Sequence, residues 1–291
     1  MNTLLDDAQL VYLYDGSLEG MLTAVFQAFF RKEQPCNIVQ EEGLQQSMLC
    51  SYIPIATDLD KAERVKNGVI NVLGNRGYEN IKHVFLSEDA RKGGVIVEYL
   101  LYTLRKGRRA CTHLAHPAVA AFEEVLKVVL NEAHYMVQFV RFAQLSNGVY
   151  YSRITPKASV VPLIMGHFAA RFNIQPFIIY DEAHGMAGVF NTERWWLVDA
   201  CDINVPGPAE AEDSFQSLWQ TFYDTIAIEE RRNPTCQRNF MPKRFWGNMC
   251  EQIPPQLRNI RPKTDTPTKV ARLAAQRLPV QRQLAAGADG D

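Results

Sequence analysis

One stretch near the end of the chain combines groups that bind phosphates with rings that stack on bases. It runs from Arg231 to Trp246, and its cations alternate with aromatic residues. Cations contact phosphates and aromatic faces stack on unpaired bases, so the combination suits single-stranded or distorted nucleic acid. Spacing alone favours a plainer interpretation, a helix end with core aromatics and solvated arginines. The candidate contacts to nucleic acid or to a partner protein are Arg238, Lys243, Arg244 and Trp246.

A second motif stands near the start, in the run Tyr14-Asp15-Gly16-Ser17-Leu18-Glu19-Gly20. A strand, a glycine-containing turn and a helix can present backbone N–H groups to an anion, which makes Tyr14 and Gly16 candidate binding positions. Asp15 and Glu19 are the candidate acid–base groups. The alternative, which sequence alone favours, is a tight turn before a helix that Ser17 caps.

The remaining polar clusters give weaker predictions. His184 near Asp181 is a general base or metal ligand in principle, although a polar turn between strands explains the pair more simply. His167 lies on an apolar helix, which favours a core histidine, and His113 and His116 lack further ligands. The six cysteines have no CxxC spacing, so we expect free thiols, no metal and no cofactor.

Several well-known catalytic motifs are absent from the chain. There is no GxxxxGK[ST] phosphate loop, no GxSxG nucleophile elbow and no zinc-deaminase signature. Whether the chain is an enzyme therefore stays open. The formal net charge of -1 also means that nucleic-acid binding would depend on local patches.

Apolar periodicity predicts an α+β protein with a helical N-terminal part followed by an antiparallel sheet packed with helices. We assign residues 1–253 to a single domain, helical over 1–133 and sheet-containing over 134–253. Residues 254–291 are rich in Pro, Gln, Arg, Ala and Gly, which predicts a disordered basic tail. The tail either adds non-specific DNA affinity or is an inert solvated segment.

The expected elements follow from the same patterns. The first part contains a strand at Leu10–Tyr14, a helix along Met21–Phe30 and a helix that begins at Thr57 or Asp58, followed by helices at Tyr78–Leu86, Asp89–Arg105 and Pro117–Glu132. The second part contains a hairpin of Met136–Leu145 with Val149–Ile154, a helix at Ser159–Phe172, antiparallel strands at Phe177–Tyr180, Ala187–Phe190 and Trp195–Ala200, and a helix at Ser214–Ile228.

No segment of the chain is long and apolar enough to span a membrane. The opening from Met1 to Gln9 carries two acids and no cation, which is the wrong chemistry for a secretory signal. We therefore expect a cytoplasmic protein.

The two motifs together resemble a bacterial family of DNA-metabolism and DNA-repair proteins. Tyr12 to Gly20 resembles the opening of that family, and Asn233 to Trp246 resembles its closing motif. The stretch from His134 to Asp199 is similar to its α+β middle region, and the likeness covers roughly Leu10 to Glu251.

This resemblance implies a partner and a role. Members of the family are typically encoded beside a radical S-adenosylmethionine protein of DNA repair, and the same domain also occurs in front of a uracil-DNA glycosylase-like domain. We expect that nothing after Ile253 forms such a glycosylase domain, so the chain resembles the stand-alone form. We expect an accessory protein of DNA repair or modification that binds single-stranded or damaged DNA, the radical S-adenosylmethionine partner, or both. The alternatives are an enzyme that acts on a damaged base through Asp15 or Glu19, and a protein-binding adaptor without DNA contact.

Overall fold

The computed structural model describes residues 9–42, 44, 47–200 and 206–252. The chain divides into two compact units, Met1–Asn131 and Glu132–Asp291, and the boundary falls inside a helix. The predicted α+β class is confirmed, since both units combine helices with a sheet. The predicted tail lies outside the described residues.

The first unit contains a three-stranded parallel sheet with helices packed around it. The strands lie in the order β2-β1-β3, with β1 in the middle. The elements of the unit are β1 Gln9–Tyr14, α1 Leu18–Arg31, β2 Asn37–Gln40, β3 Cys50–Pro54, α2 Leu59–Phe85, α3 Lys92–Lys106 and the start of α4 Pro117–Phe139, with a short 3-10 helix at Arg108–Thr112.

Sequence patterns predict β1 but neither β2 nor β3. Both are short, and of their nine residues only Ile38 is buried, so neither shows the apolar alternation by which a strand is recognised. Their place in the sheet is set by tertiary contacts. At Gly93 and Gly94 the backbone of α3 comes so close to β2 that an added Cβ would lie 2.0 Å from the Ile38 carbonyl oxygen and 2.4 Å from that of Cys36.

Two of the predicted helices are parts of the single helix α2. Its backbone leaves helical geometry at Gly74, where φ is 80° and ψ is 173°. A positive φ suits glycine because it has no Cβ. The predicted apolar stripe up to Leu73 and the predicted helix from Tyr78 are thus the two halves of one kinked helix, and both are confirmed.

The second unit contains a five-stranded sheet in the order β4-β5-β6-β7-β8. Its elements after α4 are β4 Ala143–Gln144, β5 Tyr150–Ile154, α5 Val161–Arg171, β6 Phe177–Asp181, β7 Met186–Phe190, β8 Trp195–Asp199, α6 Glu212–Ile226 and α7 Pro234–Phe240, with 3-10 helices at Glu229–Arg231, Lys243–Asn248 and Cys250–Gln252. The predicted strands β6, β7 and β8 are antiparallel as expected.

Two details of the predicted sheet need correction. The expected strand Met136–Leu145 is wrong in its first part, because α4 continues to Phe139 and buries Met136. The hairpin at Asn147-Gly148 is confirmed, with φ of +82° at Gly148. The strands β5 and β6 are parallel, since α5 connects them, so the sheet is mostly rather than wholly antiparallel.

Three further expectations can be compared with the described residues. The expectation that His167 lies in the core is wrong, because its side chain is exposed, with its ring in a T-shaped arrangement with the Phe168 ring. The described cysteines are free, as predicted, at Cys36, Cys50, Cys111, Cys236 and Cys250. Within the described ranges no helix has both the length and the apolar character needed to cross a membrane.

Candidate functional site

The N-terminal motif closes on itself through hydrogen bonds. One carboxylate oxygen of Asp15 accepts from the backbone N–H of Ser17 at 2.9 Å and from its hydroxyl at 2.6 Å. The other oxygen accepts from the Thr57 hydroxyl at 2.8 Å. Ser17 is the N-cap of α1, where its Oγ accepts from the Gly20 N–H at 2.9 Å. Both oxygens of the candidate acid–base group therefore hold the turn in place.

Gly20 makes this arrangement possible. A Cβ at this position would lie 2.2 Å from Asp15 Oδ1 and 2.8 Å from Thr57 Oγ1. Such distances are far shorter than van der Waals contact, so any side chain here would displace the two partners. The motif therefore needs glycine at position 20 for packing, independently of any ligand.

The environment also sets the ionisation of Asp15 and Tyr14. Burial acts to raise the pKa of Asp15, but the hydrogen bonds from Ser17 and Thr57 outweigh it and lower the pKa below its usual value. Burial raises the pKa of Tyr14 to about 12, with a further increase from the charges of Asp15 and Glu88. Asp15 is thus an exposed carboxylate at neutral pH, whereas Tyr14 is a neutral core residue.

The position of the motif in the sheet is one that suits ligands. It follows the carboxyl end of β1, which pairs with β2 on one side and β3 on the other. In open parallel sheets, crevices that bind ligands form at such points. Gly16, with φ of +84°, faces Gln40 at the end of β2, and Glu19 is exposed in the first turn of α1. The side chains of Gln40 and Glu19 can form hydrogen bonds with a ligand at this edge of the sheet. Catalysis by Asp15 or Glu19 stays a prediction.

The closing motif lies in the second unit. We call Arg244 and Phe245 its anchored half, because both contact side chains of α4. The guanidinium of Arg244 forms a bidentate ion pair with Glu132, whose carboxylate is buried. One oxygen of Glu132 also accepts from the Lys157 backbone N–H at 2.8 Å. Because a buried carboxylate is costly without a partner, Arg244 has a structural role in this unit. Sequence analysis missed Glu132, because α4 also carries the acids Glu123 and Glu124 and local spacing does not show which of the three is buried.

Aromatic packing strengthens the same anchored half. Phe245 is buried, and its ring centroid lies 5.6 Å from that of Tyr135 and 5.2 Å from that of Phe139 on α4. The Arg244 guanidinium lies 4.0 Å from the Phe245 centroid. This half of the motif therefore fits the plainer interpretation, in which its aromatics belong to the core.

A second ion pair fixes the end of the described chain. Glu251 is buried and accepts two hydrogen bonds from the Arg141 guanidinium, at 3.0 and 2.8 Å. Burial acts to raise the pKa of Glu251, but the hydrogen bonds and charge of Arg141 and a hydrogen bond from Trp219 outweigh it and lower the pKa. The carboxylate stays ionised at neutral pH and ties this end of the described chain to Arg141, two residues after the end of α4.

The other half of the motif carries the exposed side chains of Arg238, Phe240 and Lys243, and we call it the exposed half. The short helix α7 begins with Pro234 in its first turn, and its N-cap Asn233 accepts from the Cys236 N–H at 2.9 Å. This helix carries Arg238 and Phe240, and the ring of Phe240 is 74% exposed. The side chain of Arg238 is also exposed, and its guanidinium donates to the Thr235 hydroxyl at 3.2 Å.

In their exposure and contacts, Lys243 and Trp246 are intermediate between the anchored half and the most exposed side chains of the motif. Lys243 is exposed, and its Nζ lies 5.9 Å from the centroid of the half-buried Trp246 ring. The indole N–H of Trp246 donates to the Met241 carbonyl at 3.0 Å. The exposed half therefore presents the Phe240 ring and the cations Arg238 and Lys243 to solvent. The ring of Trp246, next to Lys243, is partly exposed.

The turn after β6 contains a histidine–carboxylate pair. Asp181 is fully buried, and its oxygens accept from the backbone N–H groups of Ala183 and His184 and contact His184 Nδ1 at 2.6 Å. The predicted polar turn between strands is confirmed. A carboxylate in this position fixes the orientation of the imidazole, as in many acid–base and metal sites. Among the described residues, however, no group of three or more His, Cys, Asp or Glu side chains is placed to hold a metal ion.

The two sets of predicted site residues lie in different units. Tyr14, Asp15, Gly16 and Glu19 belong to the first, whereas Arg238, Lys243, Arg244 and Trp246 belong to the second. None of the curated proteins matches the chain. A sequence model of one family matches residues 90–251, which include α3, α4 and the closing motif but not the N-terminal motif. Because this match covers more than half of the sequence, the chain belongs to the family described as the domain of unknown function DUF4130.

Proposed function

We propose that the protein is an accessory factor of DNA repair or modification that binds single-stranded or damaged DNA through the exposed half of the closing motif. The observation that carries this proposal is the exposure of Phe240 between two exposed cations, Arg238 and Lys243. Large apolar rings of this kind are usually buried, and their exposure beside cations is typical of surfaces that stack on bases.

The chemistry of the exposed half fits unpaired nucleotides. The Phe240 ring offers a flat face to a base, and Arg238 and Lys243 offer charge to the neighbouring phosphates. Trp246 is a second stacking surface, since part of its ring is accessible. Arg244 supports the segment through its pair with Glu132, and we assign it no direct contact with DNA.

The resemblance to DNA-repair proteins supports the other part of the proposal, a radical S-adenosylmethionine partner. The alternative of an enzyme that uses Asp15 or Glu19 receives less support, because both oxygens of Asp15 already hold the turn before α1. The adaptor alternative differs from DNA binding in its response to salt, since phosphate contacts weaken steeply as salt rises.

The first test is fluorescence anisotropy of the protein with single-stranded, duplex and uracil-containing oligonucleotides across a salt series. We expect single strands to bind more tightly than duplex, and Phe240→Ala to weaken that binding about tenfold, the effect of losing one stacked base. A matched control is Phe30→Ala, because the Phe30 ring on α1 is 75% exposed and outside the motif. Its affinity should equal that of the unchanged protein.

The salt series gives a second, independent readout. If Arg238 contacts a phosphate, Arg238→Ala should reduce the slope of log affinity against log salt by roughly one. Equal affinity of the Phe240 and Phe30 variants, or an absence of binding to all three oligonucleotides, would contradict DNA binding by this surface. Co-purification of the unchanged protein with its expected partner would then make the adaptor the better proposal.

A further inference from the structure

The helix α6 turns its polar side toward the rest of its unit. Glu212 is buried, and its carboxylate accepts from the Gln144 N–H at 2.9 Å and from the Gln216 side chain at 2.7 Å. The Gln220 side chain donates to the Cys250 carbonyl at 2.9 Å. The Tyr223 hydroxyl accepts from the Gln252 side chain at 3.0 Å. Polar groups thus hold the side of α6 where a surface helix usually places its apolar residues.

The apolar side of the same helix faces solvent. We call it the α6 stripe, and its residues are between 43% and 66% exposed. They stand at spacings of three and four residues along one face, at Phe215, Leu218, Trp219, Phe222 and Ile226. A contiguous row of large apolar side chains on a surface marks an interaction site, because exposing it to water is unfavourable.

The charges around the stripe restrict what can cover it. Residues 207–230 contain six acids and neither lysine nor arginine. Of these acids only Glu212 is buried. Glu229 is exposed and pairs with Arg232 at 3.5 Å, and the other exposed acids are Glu210, Asp213, Asp224 and Glu230. The segment that covers the stripe should therefore carry apolar anchors and positive charge.

Residues 253–291 of the same chain have this chemistry. They carry seven cations against three aspartates, with the cations at Arg258, Arg261, Lys263, Lys269, Arg272, Arg277 and Arg282. Val270, Leu273, Ala274 and Leu278 stand at the spacing by which an amphipathic helix anchors to an apolar surface. The segment follows Gln252, which is hydrogen-bonded to Tyr223 of α6 itself.

We propose that residues 269–278 dock on the α6 stripe, with their apolar residues on the stripe and their cations beside the exposed acids. The connection is long enough, because the 16 residues from 253 to 268 span up to about 50 Å when extended. The 15-residue helix α6 is only about 22 Å long. The tether also raises the local concentration of the segment at the stripe to roughly millimolar.

Hydroxyl-radical footprinting of the full-length protein tests this docking. Mass spectrometry would measure the oxidation of Trp219 and Phe222, with the exposed Phe30 as internal standard. The double variant Leu273→Asp and Leu278→Asp should raise their oxidation roughly fivefold, the factor for a segment docked in about 80% of molecules. The control carries Leu257→Asp and Leu284→Asp, which add the same charge to the same segment outside the anchors, and should match the unchanged protein.

The outcomes distinguish docking of residues 269–278 from burial of the α6 stripe by a second copy of the protein. Equal oxidation in the unchanged protein and the first double variant would overturn the proposal. Protection that increases with protein concentration would also overturn it, since an intrachain contact does not depend on concentration and a second copy does. Protection that is lost only in the first variant, at every concentration, would support it.

Discussion

The N-terminal motif is acidic and rich in glycine, whereas the closing motif is basic and aromatic, and the two also differ in how far the protein itself satisfies their polar groups. In the N-terminal motif both carboxylate oxygens of Asp15 accept hydrogen bonds, one from Ser17 in the same turn and the other from Thr57 in the loop before α2. The closing motif is divided, because Arg244 and Phe245 are anchored while Arg238 and Phe240 face solvent. The comparison shows that a polar motif points to a ligand only to the extent that its groups are not already satisfied by the protein.

The largest effect should come from the anchored half of the closing motif. Arg244→Ala removes the ion pair of the buried Glu132 carboxylate and leaves it the Lys157 N–H as its remaining partner among the described residues, so we expect a loss of about 3 kcal/mol in the free energy of unfolding. Arg238→Ala removes an exposed side chain and should change that free energy by less than about 0.5 kcal/mol. Urea unfolding followed by circular dichroism measures both.

The DNA affinity of folded protein completes this comparison. Arg238→Ala should weaken binding while stability is unchanged, and Arg244→Ala should do the reverse under conditions where it remains folded. A stable Arg244 variant with weakened DNA binding would show that the division of the motif into an anchored and an exposed half is wrong.

A smaller loss of stability should follow from filling the space at Gly20. The Cβ of Gly20→Ala would lie 2.2 Å from Asp15 Oδ1, so the turn must shift, at a cost of about 2 kcal/mol. Gly68→Ala is the matched control, because nothing lies within 4 Å of a Cβ at that helical position. Alanine there should stabilise the protein by up to about 1 kcal/mol.

The same pair of variants sharpens the interpretation of the N-terminal motif. If Gly20→Ala lowers the thermal midpoint and Gly68→Ala raises it, the glycine is required by packing within the turn. Equal midpoints for Gly20→Ala and the unchanged protein would show that the turn adapts without cost, and a ligand would then become the better reason for the glycine.

Sequence patterns predict most helices and the strands of the second unit because these elements have clear apolar periodicity or a strong turn signal. The kinked helix α2 and the hairpin at Gly148 are examples. The strands β2 and β3 escape prediction because pairing with β1, rather than their own residues, makes them strands. The stretch from Met136 to Phe139 belongs to α4 because helix packing overrides the β propensity of Val137 and Phe139.

The candidate site is less predictable for a physical reason. The residue types in the closing motif identify cations and rings, but exposure depends on partners far away in sequence, such as Glu132 for Arg244. The apolar periodicity of α6 was recognised correctly, yet the usual rule that such a stripe faces the core fails here. Burial and ion pairing across a hundred residues are tertiary facts that local spacing does not encode.

The smallest predicted effect concerns the ionisation of Asp15. Its pKa is lowered in the folded protein, so the carboxylate stabilises the fold above the usual pKa of aspartate, and this contribution is lost as pH falls through the lower, folded pKa. Asp15→Asn removes the titration and should cost about 1 kcal/mol at neutral pH, since the site is exposed. The difference in unfolding free energy between the two proteins should shrink as pH falls below about 4, which urea unfolding at several pH values would measure.

Thr57→Val deletes one of the donors to the carboxylate and should weaken this pH dependence. A difference that stays constant from neutral to acid pH would mean that the hydrogen bonds of the turn do not depend on the charge of Asp15, and the carboxylate would again be available for a ligand.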